Sequence, residues 1–316
     1  PIVESCELIT VYLQGGTFTE NVTLGRSLQL IGTAQGVVIV GKVENQGGYD
    51  LHLDRLAIQG APSYGVLQAG GLLEMRSVTV SGTLSNPNDL ASGTGILIKD
   101  GADATLSLVN SIDNQGQGLA ATDAGTTVKV SVATVSRNQV NALARSQFAT
   151  LETHVGAVEA RHGAYLSMQT VTLEDNIGYG VMVSRGGRVF LKGGAIRRTQ
   201  DISFGRGDIS ANAVVTHQSE LEMQDMTLEA SFVGVIAFQG FLTMLGGEIS
   251  HNEIGASFGY RDLRAIAPGY DPSHCVDGVI FRDNDRVADY QDLLPIPLPS
   301  DPASIPAAFC RRVAPL

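Results

Sequence analysis

Charged side chains of both signs are concentrated between residues 197 and 208. In such a group an arginine can act as a base or stabilise a developing negative charge, and an aspartate can act as an acid or bind a metal ion. If the protein is an enzyme, the candidate catalytic residues are therefore Arg197, Asp201, Arg206 and Asp208. The Arg-Gly-Asp tripeptide at 206 to 208 is too short a motif to predict adhesion.

A second set of side chains is suited to binding a partner rather than to catalysis. These side chains combine charged groups, amides and one aromatic ring, which can together contact a glycan or a protein surface. The predicted binding residues are Asn114, Gln115, Arg145, Glu152, His154, Tyr179 and Arg198. Further aromatic candidates for contacts with sugar rings are Tyr64, Phe204 and Tyr260. The alternative is that the charged members are solvated loop residues without a ligand.

The sequence gives little support to a metal site. His154 and His162 flank Glu159, but about 27 Å of extended chain would separate the two histidines, too far for one ion. A turn supplies three possible calcium ligands, Asn86, Asn88 and Asp89. One carboxylate makes a weak site, so we expect no cofactor and keep a weak calcium site as the alternative.

The composition excludes two classes of partner. The chain has 316 residues, of which 32 are acidic and 21 basic, and its net charge is -11. This charge repels phosphate backbones and argues against nucleic acid as a partner. No apolar run approaches the roughly 18 residues needed to span a bilayer.

Because there is no Trp, the interior must be built from Val, Leu, Ile, Ala and Met, which favours β-strands.

A repeat runs through most of the chain. Apolar residues recur at relative positions 0, 2, 5 and 7, and the frame starts at residues 51, 73, 104, 128, 166, 189, 221, 242 and 274. The step from position 2 to position 5 changes the parity, so we expect a bend there with apolar side chains inward on both sides. Gly194 and Gly247 at position 5 suit this corner. A second strand follows in "YGVLQAGG" from 64 and "YGVMVSRGG" from 179.

This pattern predicts an all-β chain of stacked coils with about three short strands each. The expected fold is a right-handed parallel β-helix of about ten or eleven coils over residues 1–290, because right-handed winding is the default for parallel crossovers. A proline-rich tail over 291–316 would cap it. A disulfide between Cys275 and Cys310 would pin this tail and contribute roughly 3 kcal/mol. Three unpaired thiols, including Cys6, are the alternative.

Asparagine recurs at position 10, where we expect a corner of each coil. Asparagine tolerates left-handed backbone, and its amide can bond to the amides above and below as a ladder. The predicted ladder consists of Asn114, Asn138, Asn176, Asn252 and Asn284. The functional alternative is a row of polar ligands along a groove. Long insertions follow this corner from residues 83, 138 and 199, so the candidate binding residues would lie on one loop-bearing edge.

The first coil, "LITVYLQGGTFTENVTLGRSLQLIG" from residue 8, resembles that of the pectin-lyase-like superfamily of right-handed parallel β-helices, and the likeness extends to about residue 290. The matching residues are Gly16, Thr17, Phe18, Glu20, Asn21 and Val22. The "DFIFG" and "GRPW" segments of pectin methylesterases and the Asp-Asp pair of polygalacturonases are missing. A lyase site, with carboxylates that bind calcium and a basic residue, has little local signature and stays open.

The resemblance therefore implies a bacterial, extracytoplasmic β-helix that presents loops from one edge to a glycan or a protein and has no catalytic activity. One alternative is a polysaccharide lyase or glycoside hydrolase that uses the residues between 197 and 208. A second alternative is a stalk segment of a larger surface protein. A Cys275–Cys310 disulfide would agree with an extracytoplasmic location.

Overall fold

The computed structural model describes residues 8–86, 92–140, 156–204, 207–238, 240–259 and 275–291, and its regular elements are β-strands. Cys6, Cys310, Tyr260 and residues 292–316 of the predicted tail lie outside the described residues. Cys275 opens a strand, but its side chain also lies outside the description. Within the described ranges, no helix is long and apolar enough to cross a membrane.

Two large sheets, which we call sheet A and sheet B, are built from strands of successive coils. Sheet A has seventeen strands: β1 (Ile9–Leu13), β2 (Gly16–Thr19), β4 (Leu28–Gly32), β5 (Val37–Val40), β7 (Leu51–Asp54), β8 (Ala57–Gln59), β10 (Leu72–Arg76), β11 (Thr79–Ser81), β13 (Asp103–Ile112), β15 (Thr127–Ser136), β17 (Tyr165–Glu174), β19 (Arg188–Arg197), β23 (Glu220–Glu229), β25 (Phe241–Leu245), β26 (Glu248–Ser250), β28 (Cys275–Asp277) and β29 (Ile280–Arg282).

Sheet B has eleven strands: β3 (Val22–Thr23), β6 (Val43–Asn45), β9 (Tyr64–Ala69), β12 (Thr94–Lys99), β14 (Leu119–Thr122), β16 (Gly156–Arg161), β18 (Tyr179–Ser184), β22 (Ala211–Thr216), β24 (Val233–Phe238), β27 (Ile254–Gly259) and β30 (Arg286–Gln291). A separate antiparallel hairpin pairs β20 (Ile202–Phe204) with β21 (Gly207–Ile209). The strand pairs of both large sheets are parallel, so each coil lies on the one before it. The predicted parallel β-helix is confirmed.

The apolar row at position 2 faces the interior, as expected. Leu53 pairs with Met75, and Met75 with Leu106, so equivalent side chains stack from coil to coil. Members of this row from Leu53 to Met244 are buried, and Val276 on the last described coil is partly buried against the core. Ser111, the one polar residue at position 7, is buried as well, and its hydroxyl donates to the carbonyl of Gly118 at 2.7 Å.

Each repeat has two bends, and at each bend a residue adopts the left-handed backbone conformation. At position 4 these are Arg55, Ser77, Leu108, Val132, Thr170, Gly193, Asp225, Gly246 and Gly278. At position 9 they are Gly60, Gly82, Asp113, Arg137, Asp175, Arg198, Ala230, His251 and Asp283. The expectation that the asparagine itself is left-handed is wrong, because it follows the left-handed residue. Gly194 and Gly247 at position 5 have positive φ, 119° and 91°, so these two glycines form part of the first bend, as expected.

The corner asparagines are joined by hydrogen bonds along the stack. The backbone N and the side-chain Nδ2 of Asn138 both donate to Oδ1 of Asn176, each at 3.0 Å. Asn114 makes the same pair of bonds to Asn138 at 3.2 and 2.8 Å. Nδ2 of Asn176 donates to the carbonyl of Val135 at 2.8 Å. Each amide therefore satisfies buried backbone groups that the bend removes from the strands.

The row continues across two coils that lack asparagine at position 10. Asn212 on β22 replaces it: its Oδ1 accepts from Thr199 at 2.8 Å and its Nδ2 donates to Asn252 at 3.3 Å. The backbone N and Nδ2 of Asn252 then donate to Asn284 at 3.0 and 3.1 Å. The polar row is thus continued by a residue from a different strand, which its sequence position did not indicate.

Replacing Asn176 with alanine tests the energetic role of this row. We expect Asn176→Ala to lower the free energy of unfolding by about 1–3 kcal/mol, because Asn138 loses the acceptor of two buried donors. Asn110→Ala is the matched control, since Asn110 is exposed and makes one side-chain bond, at 3.4 Å to Thr79; it should change stability by less than about 0.5 kcal/mol. Chemical denaturation measures both, and equal losses would contradict the role assigned to Asn176.

Candidate binding site

The structure removes two residues from the predicted binding edge. Asn114 is buried within the asparagine row, and Tyr179 is 1% exposed, so neither side chain is open to a partner. Tyr179 packs with Met182, Ile202 and Val214, and burial raises the pKa of its hydroxyl to about 12. Both predictions are corrected for the same reason: the side chains point into packed layers. Arg145, Glu152 and His154 lie outside the described residues.

Gln115 is an exposed member of the predicted edge. Its Oε1 accepts from the backbone N of Ser85 at 3.0 Å, which ties two neighbouring turns together. Asn86, one of the possible calcium ligands, donates its backbone N to the hydroxyl of Ser92 at 2.6 Å, and Asn88 and Asp89 fall outside the description. In the part of the chain that is described, no three His, Cys, Asp or Glu side chains are grouped closely enough to hold a metal ion.

Arg197 and Arg198 are engaged in ion pairs. Arg197 donates to Glu174 at 2.9 Å, and Arg198 reaches both Glu174, at 2.8 Å, and Asp175, at 2.7 Å. The hydrogen bonds from Arg198 hold the pKa of Asp175 below its usual range and raise the pKa of Arg198 further. These ion pairs brace the corner, and the catalytic role predicted for Arg197 and the binding role predicted for Arg198 stay predictions.

The remaining candidates of this segment border the β20–β21 hairpin. Asp201 is exposed and accepts a hydrogen bond from the hydroxyl of Ser210 at 2.6 Å. Arg206 lies outside the described residues, and the side chains of Asp208 and Phe204 are not described. The described contacts therefore do not bring a second carboxylate to Asp201, and the catalytic assignment of this segment remains a prediction from sequence.

A different group of polar residues lies at the opposite end of the sheet B strands. Thr122 pairs with Arg161, and Arg161 with Ser184, at the ends of β14, β16 and β18. The next residues, Asp123, His162 and Arg185, are left-handed and begin the turns to the following coil. We call this group the Arg–His corner, and it consists of Thr122, Asp123, Glu159, Arg161, His162, Ser184 and Arg185.

Hydrogen bonds in the Arg–His corner fix the protonation of its histidine. Nη1 of Arg185 lies 3.0 Å from Nε2 of His162, and an arginine can only donate, so Nε2 accepts and the imidazole is neutral. Nδ1 of His162 then carries the proton and donates to the hydroxyl of Thr122 at 3.3 Å. Burial, followed by the positive charges of Arg161 and Arg185, lowers the pKa of His162, while Asp123 opposes this shift.

A buried carboxyl group lies beneath these side chains. Glu159 is 0% exposed, on the outer face of β16, and its Oε1 lies 3.9 Å from Nη1 of Arg161. Burial raises the pKa of Glu159, and the charges of Arg161 and Arg185 oppose the rise. Two arginines, a neutral histidine and a carboxyl group of raised pKa therefore meet on adjacent coils. Such a group can bind an anion and exchange protons with it.

Sequence reasoning missed most of this corner. The signal lies in the ends of three sheet B strands, "ATDAG", "ARHG" and "SRGG", which hold charged residues in the same place of successive coils. It becomes readable only when these strands are aligned by register, because about 20 to 40 residues separate them in the chain. The sequence prediction placed the site on the other edge of sheet B, where the insertions are.

Comparison with known proteins supports the fold and no more. No family model matches the chain, and no curated protein matches it. The A-module of Azotobacter vinelandii mannuronan C-5 epimerase AlgE6 matches over 89% of this chain and 87% of that chain, with a TM-score of 0.62 and 13% identity. The protein accordingly has the fold of the right-handed parallel β-helix proteins, as its sequence predicted.

Two further solved structures are more distant. The A-module of Azotobacter vinelandii mannuronan C-5 epimerase AlgE4 matches 90% of this chain and 89% of that chain, with 11% identity and a TM-score of 0.40. The Streptococcus pneumoniae surface protein and adhesin PfbA matches 89% and 91%, with 11% identity and a TM-score of 0.34. At these scores neither likeness bears on function.

Glu159→Gln tests whether the buried carboxyl group is held against its charged form. A raised pKa in the folded state means that stability is lost as the pH rises above the ordinary pKa of a glutamate. We expect Glu159→Gln to raise the melting temperature by about 2 °C or more near pH 7, with a smaller difference near about pH 4.

Glu174→Gln is the opposite-sign control for this experiment. Glu174 accepts from Arg197 and Arg198, so its substitution should lower stability near pH 7 by up to about 1 kcal/mol. Thermal unfolding followed by circular dichroism measures both variants. A loss of stability in Glu159→Gln at neutral pH would contradict the account of this carboxyl group.

Proposed function

We propose that the protein is an extracytoplasmic β-helix that binds a carboxylate-bearing partner, in the first place a glycan, at the Arg–His corner without catalysis. The observation that supports this proposal is the convergence of Arg161, His162 and Arg185 from two neighbouring coils. Arginine presents several N–H donors in a plane, a geometry that matches a carboxylate. Arg161 is largely buried, which strengthens its attraction for an anion relative to a fully solvated arginine.

Strand pairing holds the corner in place. Arg161 on β16 pairs with Ser184 on β18, whose side chain is 0% exposed and is therefore not open to a ligand. The stacked coils hold these groups in place, and little conformational entropy is lost on binding.

The choice of a glycan carboxylate has one further support. The solved structure with a TM-score of 0.62 is named for its action on mannuronan, a uronic acid polysaccharide. The net charge of -11 opposes the approach of a long polyanion. The proposal therefore rests on local contacts with single carboxylate groups, and an extracytoplasmic location agrees with a polysaccharide partner.

A second candidate function is that of a polysaccharide lyase, favoured by a neutral histidine beside two arginines. In this scheme His162 removes the proton next to the sugar carboxylate, and Arg161 and Arg185 stabilise the resulting negative charge. Glu159 is 0% exposed, so water protonates the leaving glycosidic oxygen as its bond to carbon breaks and the unsaturated product forms.

The binding proposal is tested with Arg185→Ala and a free uronic acid monosaccharide. We expect its affinity, measured by calorimetry, to fall tenfold or more, since a charge-assisted hydrogen bond contributes about 1.5–3 kcal/mol. Arg55→Ala is the matched control, because Arg55 is also exposed and left-handed but lies at a different bend, beside Asp54. Equal affinities of the two variants would exclude the Arg–His corner as the site.

The lyase candidate is tested by incubating the protein with a uronic acid oligosaccharide and recording the ultraviolet absorbance of the unsaturated product. If the scheme holds, His162→Gln should abolish product formation while the bound fraction of oligosaccharide stays close to that of the unaltered protein. Absence of product from the unaltered protein, together with normal binding, would leave the non-catalytic proposal and exclude the lyase.

A further inference from the structure

The outer face of sheet A carries a cationic surface that begins after the turns of the Arg–His corner. Its middle strands β15, β17 and β19 point alternate residues to solvent on the side opposite the buried row. These residues form what we call the cationic face: Thr127, Lys129, Ser131, Tyr165, Ser167, Gln169, Arg188, Phe190 and Lys192. The face holds three basic residues and no acidic one, in a protein whose net charge is -11.

The charges of the two lysines are not neutralised within the described residues. Neither Lys129 nor Lys192 takes part in an ion pair there, and both are exposed. Arg188 marks the border, since its Nε lies 3.4 Å from Oε2 of Glu220 on the next strand. Acidic residues bound the face on both sides, with Asp103 on β13 and with Glu220 and Glu222 on β23, of which Glu222 pairs with Phe190. The positive charge is therefore local to three coils.

Two aromatic rings lie on the same face as the lysines. Tyr165 is 39% exposed and pairs with Arg188, and Phe190 is partly buried and pairs with Ser167. The two rings thus stand on adjacent strands and on alternate positions of the same face, with hydroxyl and amide groups beside them. Exposed aromatic rings next to small polar side chains give an apolar platform with hydrogen-bonding groups at its rim.

We propose that the cationic face is a second binding site, for an acidic oligosaccharide that lies across the strands along the axis of the stack. Lys129 and Lys192 are two strands apart, about 9.6 Å along that axis. Lys192 lies two residues further along its strand than Phe190, which is in register with Lys129 through Ser167. Carboxylates on alternate sugar units of an extended chain have a comparable spacing. Each lysine binds one carboxylate, and Tyr165 and Phe190 contact the apolar faces of sugar rings beside them.

Charge complementarity selects this occupant over an apolar one. An apolar partner would leave both lysines without a counter-charge at the interface, which costs free energy. A uronic acid chain supplies carboxylates and apolar C–H faces together. The proposed site differs from the Arg–His corner, because it lies on the other sheet and needs a chain that spans three coils.

The test uses a hexamer of galacturonic acid as the probe and its carboxyl-reduced form as the neutral probe. For the double variant Lys129→Ala/Lys192→Ala, calorimetry at low salt should show affinity for the acidic hexamer about tenfold weaker than in the unaltered protein. The variant Tyr165→Ala should weaken binding of both probes. Arg76→Ala, an exposed arginine on β10 of the same sheet outside the cationic face, is the matched control and should leave the affinity unchanged.

The outcomes separate this site from the Arg–His corner. If Arg185→Ala loses the free monosaccharide while the hexamer still depends on the two lysines, both sites exist. If the hexamer binds equally to the double lysine variant and to Arg76→Ala, the cationic face is not a site, whatever the result for the corner. Binding of an acidic protein, but not of the hexamer, to this face would overturn the glycan proposal.

Discussion

Parallel hydrogen bonding between strands of neighbouring coils sets the position of every side chain discussed above. Leu53, Met75 and Leu106 occupy one row because the backbone of each coil is in register with the next. The same register places Arg161 beside Ser184 on one sheet and Tyr165 beside Arg188 on the other. Residues far apart in the chain become neighbours about 4.8 Å apart, and a site can be assembled from one residue per coil.

This register depends on bends that many of its residues adopt at a cost. Val132 and Thr170 are β-branched and left-handed, with φ of 57° and 54°, a conformation that costs on the order of 1–3 kcal/mol. The bends persist because the inward rows on both sides must face the core and because the asparagine row satisfies the buried groups at the second bend. Packing and hydrogen bonding together therefore impose the backbone geometry on unfavourable residue types.

The repeat could be predicted from the sequence because burial of one face of a strand imposes a regular spacing of apolar residues. The inward row and the second strand follow from that period alone. The left-handed conformation at positions 4 and 9 could not be predicted, because Leu108, Arg137 and Ala230 lack any local preference for that conformation. The role of the corner asparagines was harder to predict, because asparagine at a corner suits both a structural ladder and a polar groove. The burial of Asn114 decides for the ladder. The Arg–His corner could be recognised only from the register of the strands, which brings its residues together.

The two proposed surfaces should differ in their response to salt, because their cations differ in exposure. Arg161 is 13% exposed and lies beside a buried carboxyl group, so mobile ions screen its attraction for a ligand weakly. Lys129 and Lys192 are exposed, and screening reaches them fully. Salt also screens the long-range repulsion between an anionic ligand and a chain of net charge -11. Because the attraction of Arg161 is screened less than that of the two lysines, contact of the cationic face with an extended acidic chain is the more salt-sensitive of the two.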